Sequence, residues 1–338
     1  MAFALYLVLM AGGYFLNAKG FDSILVNILL LIAGFVMLIK GADYFVEGAS
    51  GIADKFGIPQ IVIGLTIVAF GTSAPEAAVS ITSALQGSTG LAIGNVVGSN
   101  IMNVLLILGI SATITKMKVE KSTAKIEIPF VIFITTVLVV MGGLQGELNL
   151  LSGLILLALF VVFFIYLIYT AKKGMSEGND NEDEVTDTKK KSIALLLVFT
   201  IFGMLGIVAG SDVTVDSASY VAMKLGMDDR LIGLTIVAFG TSLPELVTSI
   251  IASVKGNADI AIGNVVGSNI FNILFVLGVT AVIKTVNYDA KFVIDGIIAI
   301  AAVVLLFVSV IRKKELGRMA GIIMLVGYAA YFAYLIMG

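Results

Sequence analysis

Two glutamates stand at equivalent positions of otherwise apolar segments. Glu76 ends the run Gly-Thr-Ser-Ala-Pro-Glu, and Glu245 ends the run Gly-Thr-Ser-Leu-Pro-Glu. A carboxylate inside a membrane span costs at least about 2.5 kcal/mol on insertion scales. Neither segment contains a Lys or Arg that could pair with its glutamate. Because one divalent cation would cancel both charges, we predict that the two glutamates face each other and bind a metal cation.

Each glutamate follows a proline that interrupts its segment. Pro75 has no N–H and its ring crowds the carbonyl four residues back, so the carbonyls around Gly71 and Thr72 lose their helical partners. A proline suits the first position of a new half-helix, whose positive end then lies near Glu76. The freed carbonyls and the Thr hydroxyl are suitable ligands for a dehydrated hard cation. The second copy has the same residue types at Gly240, Thr241 and Pro244.

A second duplicated block adds neutral oxygens. Residues 94–103 read Gly-Asn-Val-Val-Gly-Ser-Asn-Ile-Met-Asn. On a helix, Ser99 and Asn103 share a face, as do Ser268 and Asn272 of the second copy. Taken alone, the glycines indicate close helix packing, and the Ser and Asn faces indicate hydrogen bonds between helices. Beside two carboxylates, the same side chains also predict oxygen ligands.

Composition limits both the class of protein and its chemistry. Of the 338 residues, 59% are hydrophobic and 13% are charged, which excludes a soluble globular protein and indicates a multi-spanning membrane protein. The chain has no Cys, which excludes disulfide and thiolate chemistry. It has no His, the usual ligand of zinc, copper and nickel, so oxygen donors remain, and these favour Na⁺, Ca²⁺ or Mg²⁺.

Apolar runs of membrane length predict an all-α integral membrane protein. Five spans precede a polar segment at 172–192, and five follow it. The predicted spans are 24–50, 60–85, 91–114, 126–142, 149–171, 193–222, 229–254, 260–283, 292–311 and 319–337.

The two sets of five spans are copies of each other. Residues 63–73 are identical to 232–242, and residues 92–101 are identical to 261–270, both at an offset of 169 positions. Because five is odd, the second set must cross the membrane in the opposite sense, which predicts an inverted repeat as found in transporters. The predicted organisation is an N-terminal apolar segment (1–22), a first five-helix repeat (23–171), a polar linker (172–192) and a second five-helix repeat (193–338).

Flanking segments are less specific. The apolar run 3–16 lacks a basic start, so it is an extra helix or the core of a signal peptide, and we favour the helix. The linker is acidic, but it lacks the Asp-x-Asp-x-Asn-Gly pattern of a Ca²⁺ loop, which favours a flexible tether.

On the linker side of the spans lie 15 Lys and Arg residues, against five on the other side. This asymmetry predicts a multi-pass cell-membrane protein with a cytoplasmic linker and an outside C-terminus.

The paired motifs give the chain a resemblance to a known family. Gly-Thr-Ser-x-Pro-Glu followed by Gly-Asn-Val-Val-Gly-Ser-Asn-Ile-x-Asn, in two copies, resembles the cation/calcium antiporter superfamily, and more closely its sodium/calcium exchanger branch of prokaryotic type. The resemblance extends from about residue 24 to the C-terminus. It implies ten core helices in two inverted halves, with two long helices, here 24–50 and 193–222, moving against the others.

The resemblance also implies specific ligands. A Ca²⁺ site would use Glu76 and Glu245 with the carbonyls of Thr72 and Thr241. Sodium sites would use Ala69, Thr72, Ser73 and Ser99 of the first half and Ala238, Thr241, Ser242 and Ser268 of the second, with Asn103 and Asn272 flanking the centre. Some exchangers carry Asp at the position of Asn272, so this chain departs from them and has two carboxylates in its motifs.

These observations predict a secondary transporter without a cofactor. We expect Na⁺/Ca²⁺ antiport by alternating access, in which both ions compete for the two glutamates and only a loaded site reorients; the alternative is H⁺/Ca²⁺ antiport, or antiport of another divalent cation, at the same glutamates. A channel lacks support because no filter loop repeats around a pore. An intramembrane hydrolase would need a base and a third group beside Ser73. The expected partners are the lipid bilayer, Ca²⁺ and Na⁺ but no nucleic acid, and the expected transport unit is a monomer.

Overall fold

The structure is a computed structural model that describes residues 2–20, 23–87, 89–177, 191–226 and 238–337. Within these ranges the chain is almost entirely helical. Two predicted features fall partly outside them, namely the linker over residues 178–190 and the second motif over residues 232–237.

Seven helices precede the linker and six follow it in the described ranges. The first set is α1 (Ala2–Lys19), α2 (Ile24–Phe56), α3 (Gln60–Thr72), α4 (Ala74–Leu85), α5 (Thr89–Ile114), α6 (Thr123–Gln145) and α7 (Leu150–Glu177). The second set is α8 (Ile193–Lys224), α9 (Ala238–Thr241), α10 (Leu243–Val254), α11 (Ala258–Ile283), α12 (Ala290–Ile311) and α13 (Arg318–Met337).

The helices have the length and apolarity that a membrane requires. Eight of those described can span a bilayer, and α3 with α4 forms a ninth span that is bent by 48°. The remaining predicted span, 229–254, contains α9 and α10, and its earlier part lies outside the described residues. The prediction of an all-α integral membrane protein is confirmed.

Two long helices cross closely at glycines. A Cβ added to Gly203 of α8 would lie 2.5 Å from the amide nitrogen of Phe45 in α2, and one added to Gly210 would lie 3.0 Å from the carbonyl oxygen of Gly34. Without side chains at these positions, the two backbones can approach to van der Waals contact. The N-terminal helix α1 joins this pair, because the Tyr6 hydroxyl donates to the carbonyl of Phe202.

The centre of the molecule is formed by α5 and α11 together with the broken helices. In these two helices 72% and 78% of the spanning residues are buried, against 17 to 39% in the other unbroken spans. Helix α11 packs on α3 through glycine, since a Cβ on Gly263 would lie 3.0 Å from the Cα of Gly64. The predicted close approach is therefore confirmed for this helix. At Gly94 and Gly98 of α5 no described atom comes closer than 3.7 Å to an added Cβ.

Two short antiparallel ladders join the halves outside the spans. Strand β1 (Met117–Lys118) pairs with β4 (Glu315–Leu316), and β2 (Glu147–Leu148) pairs with β3 (Val286–Asn287). Beside the first ladder, the hydrogen bond from Lys116 lowers the pKa of the Glu315 carboxyl. Each ladder thus connects a loop of the first half to a loop of the second.

The packing of α11 on α3 can be tested at Gly267. A Cβ there would lie 2.7 Å from the Cβ of Ala69 and 2.8 Å from the Cα of Leu65, so Gly267→Ala must push two backbones apart. We expect this substitution to lower the free energy of unfolding by about 1–3 kcal/mol, as overpacking does. Thermal unfolding of the purified protein in detergent measures the change.

The control is Gly90→Ala in α5, where the added Cβ would lie 4.0 Å from the ring of Phe292, an ordinary contact. This variant should unfold at or above the wild-type temperature, because Ala is the better helix former. Equal unfolding temperatures for the two variants would contradict the close packing at Gly267.

Candidate cation site

The first helix break lies at Ser73. Helix α3 ends at Thr72, Ser73 has φ −83° and ψ 7°, and α4 begins at Ala74. Pro75 therefore occupies the second position of the new half-helix, where the sequence analysis expected the first. The break is bridged by backbone bonds from Ser73 to the Ala69 carbonyl and from Ala77 to the Ser73 carbonyl. Glu76 lies in the first turn of α4 and is fully buried.

The second break has the same form. Ser242 separates α9 from α10, and Glu245 lies fully buried in the first turn of α10. The carbonyl of Gly240, which Pro244 cannot pair, accepts a hydrogen bond of 2.8 Å from the Ser211 hydroxyl of α8. A side chain from a neighbouring helix thus satisfies backbone that the proline leaves open.

The two glutamates are held by serines of the opposite half. The Ser73 hydroxyl donates to Glu245 Oε1 at 2.8 Å, and the Ser242 hydroxyl donates to Glu76 Oε1 at 2.9 Å. The exchange of partners brings both carboxylates into one buried space between the halves. Each carboxylate keeps a second oxygen, Oε2, that is buried and has no hydrogen-bond partner.

Two asparagines position the backbone of the glutamates. Asn95 donates to the Ser80 hydroxyl at 2.9 Å and to the Glu76 carbonyl at 3.3 Å. Asn264 makes the equivalent bonds in the second half, to Ser249 at 2.9 Å and to Glu245 at 3.4 Å. These bonds fix each half-helix against the helix that follows it.

The Thr72 hydroxyl is already engaged by protein atoms. Its oxygen lies 3.0 Å from the Val68 carbonyl and 2.9 Å from Asn264 Oδ1, so its single proton is donated within the protein. Thr241, the equivalent residue, is half-buried beside a cavity described below.

Four asparagines join α5 to α11 next to the glutamates. Asn100 and Asn269 donate to each other's backbone carbonyls at 3.3 Å. Asn103 donates to Asn269 Oδ1 at 3.0 Å, and Asn272 donates to Asn100 Oδ1 at 3.3 Å. The amide groups are used as donors here, so the side-chain oxygens of Asn103 and Asn272 are left buried without a partner.

The remaining predicted residues lie in helices α3, α5, α9 and α11. The Ser99 hydroxyl lies 3.4 Å from that of Ser242, and the Ser268 hydroxyl is buried without a partner. Ala69 is buried in α3. Ala238 begins α9, and only its backbone belongs to the described structure.

Chemically, this is a set of oxygen acceptors that lacks positive charge. Five buried oxygens of the predicted ligands lack a hydrogen-bond partner, namely Glu76 Oε2, Glu245 Oε2, Asn103 Oδ1, Asn272 Oδ1 and Ser268 Oγ. Among the described residues, no ion pair involves either glutamate, and no group of three or more His, Cys, Asp or Glu side chains could hold a metal. Two carboxylates with neutral oxygens suit a hard cation.

Several supporting residues were missed by the sequence analysis. Asn95, Asn100, Asn264 and Asn269 belong to the duplicated blocks, so their repetition was a usable signal for a role at the site. Glu127 was also missed. It is a buried carboxylate of α6 that accepts a hydrogen bond from Tyr166, and nothing in the duplicated motifs points to it.

Comparisons with known proteins agree along most of the chain. The family model described as sodium/calcium exchanger protein matches residues 26–169 and 195–337. The sodium/calcium exchanger MaX1 of Methanosarcina acetivorans is 34% identical, with 92% of this chain and 99% of that protein covered. A membrane protein of Methanocaldococcus jannaschii is 35% identical, with 91% and 97% covered. A solved structure of the sodium-calcium exchanger NCX_Mj, soaked with Na⁺ and Sr²⁺, has a TM-score of 0.80 at 31% identity and covers 92% of this chain and 99% of that one.

Cation binding at the glutamates should stabilise the fold. A ligand that binds only the folded protein adds about 2.7 kcal/mol at one hundred times its Kd, so Ca²⁺ should raise the unfolding temperature in detergent. We expect Glu76→Gln and Glu245→Gln to lose this rise, because each removes one of the two charges that a divalent cation cancels.

The matched control is Glu127→Gln, which changes a buried carboxylate outside the site. It should keep the Ca²⁺-dependent rise. If both site variants retained the full rise, the shared site would be ruled out.

Proposed function

Because the chain belongs to the sodium/calcium exchanger protein family, we propose that it exchanges Na⁺ for Ca²⁺ at a site formed by Glu76 and Glu245. Membership makes it a cation/Ca²⁺ antiporter of the membrane and a secondary transporter, not an enzyme. The choice of Na⁺ as the coupling ion and the identity of the ligands are the parts that we propose.

One observation carries the proposal. The unpaired oxygens of Glu76, Glu245, Asn103 and Asn272 are buried where the two halves meet, and no described base is paired with the glutamates. Unpaired buried acceptors and uncompensated charge are both costly. A Ca²⁺ ion removes both costs at once, because it cancels two carboxylates and accepts neutral oxygens as further ligands.

Competition for the same glutamates accounts for exchange. Bound Ca²⁺ neutralises the pair completely, and Na⁺ ions that replace it must also compensate the pair before the helices can move within the low-dielectric interior. An empty site would carry uncompensated charge through the membrane, so only a loaded site reorients. Because the site must be loaded in both directions, outward movement of one ion is coupled to inward movement of the other.

The neutral oxygens favour Na⁺ over H⁺ as the coupling ion. Sodium binds several oxygens at once, and the proposed ligands include Ser99, Ser268 and the backbone carbonyls of Thr72 and Thr241 in addition to the glutamates. A proton would need one carboxylate oxygen only. Protonation could nevertheless neutralise both glutamates, so H⁺/Ca²⁺ exchange at the same residues is the second candidate.

The internal repeat supports a single chain as the transport unit. Ser73 and Glu76 correspond to Ser242 and Glu245 at the offset of 169 residues, so the bonds Ser73 to Glu245 and Ser242 to Glu76 are equivalent. The reciprocal bonds of Asn100 and Asn269 are equivalent in the same way. This pattern favours the predicted division into repeats at 23–171 and 193–338.

We place the linker on the cytoplasmic side, because 15 of the Lys and Arg residues flank the spans on that side.

Transport can be measured in proteoliposomes. We expect Ca²⁺ uptake under an opposed Na⁺ gradient and none under a pH gradient of equal size, because the neutral oxygens provide ligands for Na⁺. Glu76→Gln and Glu245→Gln should reduce uptake to the level of empty liposomes, while Glu127→Gln should retain it.

The second arm separates the candidates. Uptake that is driven by pH alone would replace Na⁺ by H⁺ as the coupling ion while leaving the glutamate site intact. Ca²⁺ flux that dissipates its own gradient without any counter-ion would contradict antiport altogether.

A further inference from the structure

A cluster of ion pairs joins α2 to the end of α10 on the linker side. Lys255 Nζ lies 2.7 Å from the Asp43 carboxylate, donates to the Asp43 carbonyl at 2.8 Å, and lies 4.0 Å from the Glu47 carboxylate. Lys191, at the end of the linker, also pairs with Glu47. The cluster therefore ties the long helix α2 to the half-helix that begins at Glu245.

We call the region between a long helix and the half-helix that faces it a mouth: the linker-side mouth lies between α2 and α10, and the other mouth lies between α8 and α4. The internal repeat places a matching pair of acids at this other mouth. Asp43 and Glu47 correspond to Asp212 and Asp216 of α8, but Lys255 corresponds to Gln86 at the end of α4. Both mouths thus carry two acids on the long helix, and the half-helix end facing them carries a lysine on the linker side only.

The mouth with the lysine is closed and the mouth without it is open. A cavity of about 600 Å³ separates α8 from α4, lined by Asp212 and Asp216 on one side and by Pro75, Ala78 and Val79 on the other. It extends to Ala74 after the first helix break and to Gly240 and Thr241 before the second. On the linker side the equivalent helices, α2 and α10, pack directly against each other.

Burial at equivalent positions shows the same asymmetry. Val79 of α4 is 43% exposed, whereas its counterpart Thr248 in α10 is fully buried. Ala74 is exposed, whereas its counterpart Leu243 is buried. At these positions α10 is thus more closely packed than α4.

We propose that Lys255 is a gating residue, whose ion pairs with Asp43 and Glu47 hold the linker-side mouth closed. Opening a cavity between α2 and α10, equivalent to the one between α8 and α4, requires these helices to separate, and the pairs at Lys255 must then break. The proposal rests on the alternating access of the proposed function, and it adds the residue that biases the choice between the two mouths.

The expected size of the bias is modest. The three side chains are between 23% and 33% exposed, so water screens their attraction. Loss of such a pair shifts a two-state equilibrium on the order of fivefold. That shift is large enough for a rate measurement and small enough to leave the fold intact.

Thiol accessibility tests the gate without relying on transport. The chain has no Cys, so a single introduced Cys is the only thiol. Val247→Cys reports on the linker-side mouth, and its repeat equivalent Ala78→Cys reports on the open one. Labelling with a membrane-impermeant maleimide is measured from each side of oriented vesicles in buffer with Na⁺ and without Ca²⁺, so that the site is loaded and can reorient.

Lys255→Gln is combined with each reporter. It should raise the labelling rate of the Val247→Cys reporter from the linker side about fivefold, and it should lower the labelling rate of the Ala78→Cys reporter from the other side. Lys255→Arg keeps the charge and should label like the parent. The matched variant Gln86→Lys introduces a cation opposite Asp212 and Asp216, so it should slow the labelling of Ala78→Cys.

Two results would overturn the gate. One is an unchanged labelling rate at both reporters in Lys255→Gln, and the other is an equal increase at both, which indicates general loosening. Failure of Na⁺-driven Ca²⁺ uptake in proteoliposomes would refute the coupling ion instead, since the labelling assay contains no transported Ca²⁺.

Discussion

The burial of two like charges without a described base is the constraint on which the rest of the structure depends. Glu76 and Glu245 are fully enclosed, and each receives one serine hydrogen bond from the opposite half. A hydroxyl donates a single proton and cannot cancel a charge. Repulsion between the carboxylates grows as water is excluded. The pair therefore needs compensation by a bound cation or by protons, which couples neutralisation of the glutamates to the packing of the helices.

The scaffold around the glutamates serves this constraint. Glycine at positions 64 and 263 lets α3 of the first half and α11 of the second pack closely beside the broken helices. Asn103 and Asn272 donate their amide protons to the neighbouring helix, so their side-chain oxygens remain buried acceptors without a partner. Bonded amide donors and unpaired carboxylate and amide oxygens together suit a cation.

Much of this could be predicted from the sequence because the signals are local or repeated. Proline fixes the helix breaks, and the offset of 169 residues identifies the equivalent glutamates. What remained hidden depends on contacts distant in sequence. The pairing of Ser73 with Glu245 spans 172 positions, and the engagement of the Thr72 hydroxyl by Asn264 spans 192. Helix α2 continues past the predicted residue 50 to Phe56, where Gly57 ends it with a φ of 62°.

The repeat also explains why the two halves differ. Thr248 is buried and its counterpart Val79 is exposed, because α2 packs against α10 whereas a cavity separates α8 from α4. Two arrangements related by exchange of the halves would be equal in energy if the sequence were perfectly symmetric. Departures from symmetry decide between them. Ser211, which bonds the Gly240 carbonyl, has Ala42 as its counterpart, and Lys255 has Gln86. A few such residues bias an equilibrium that the duplicated motifs leave nearly balanced.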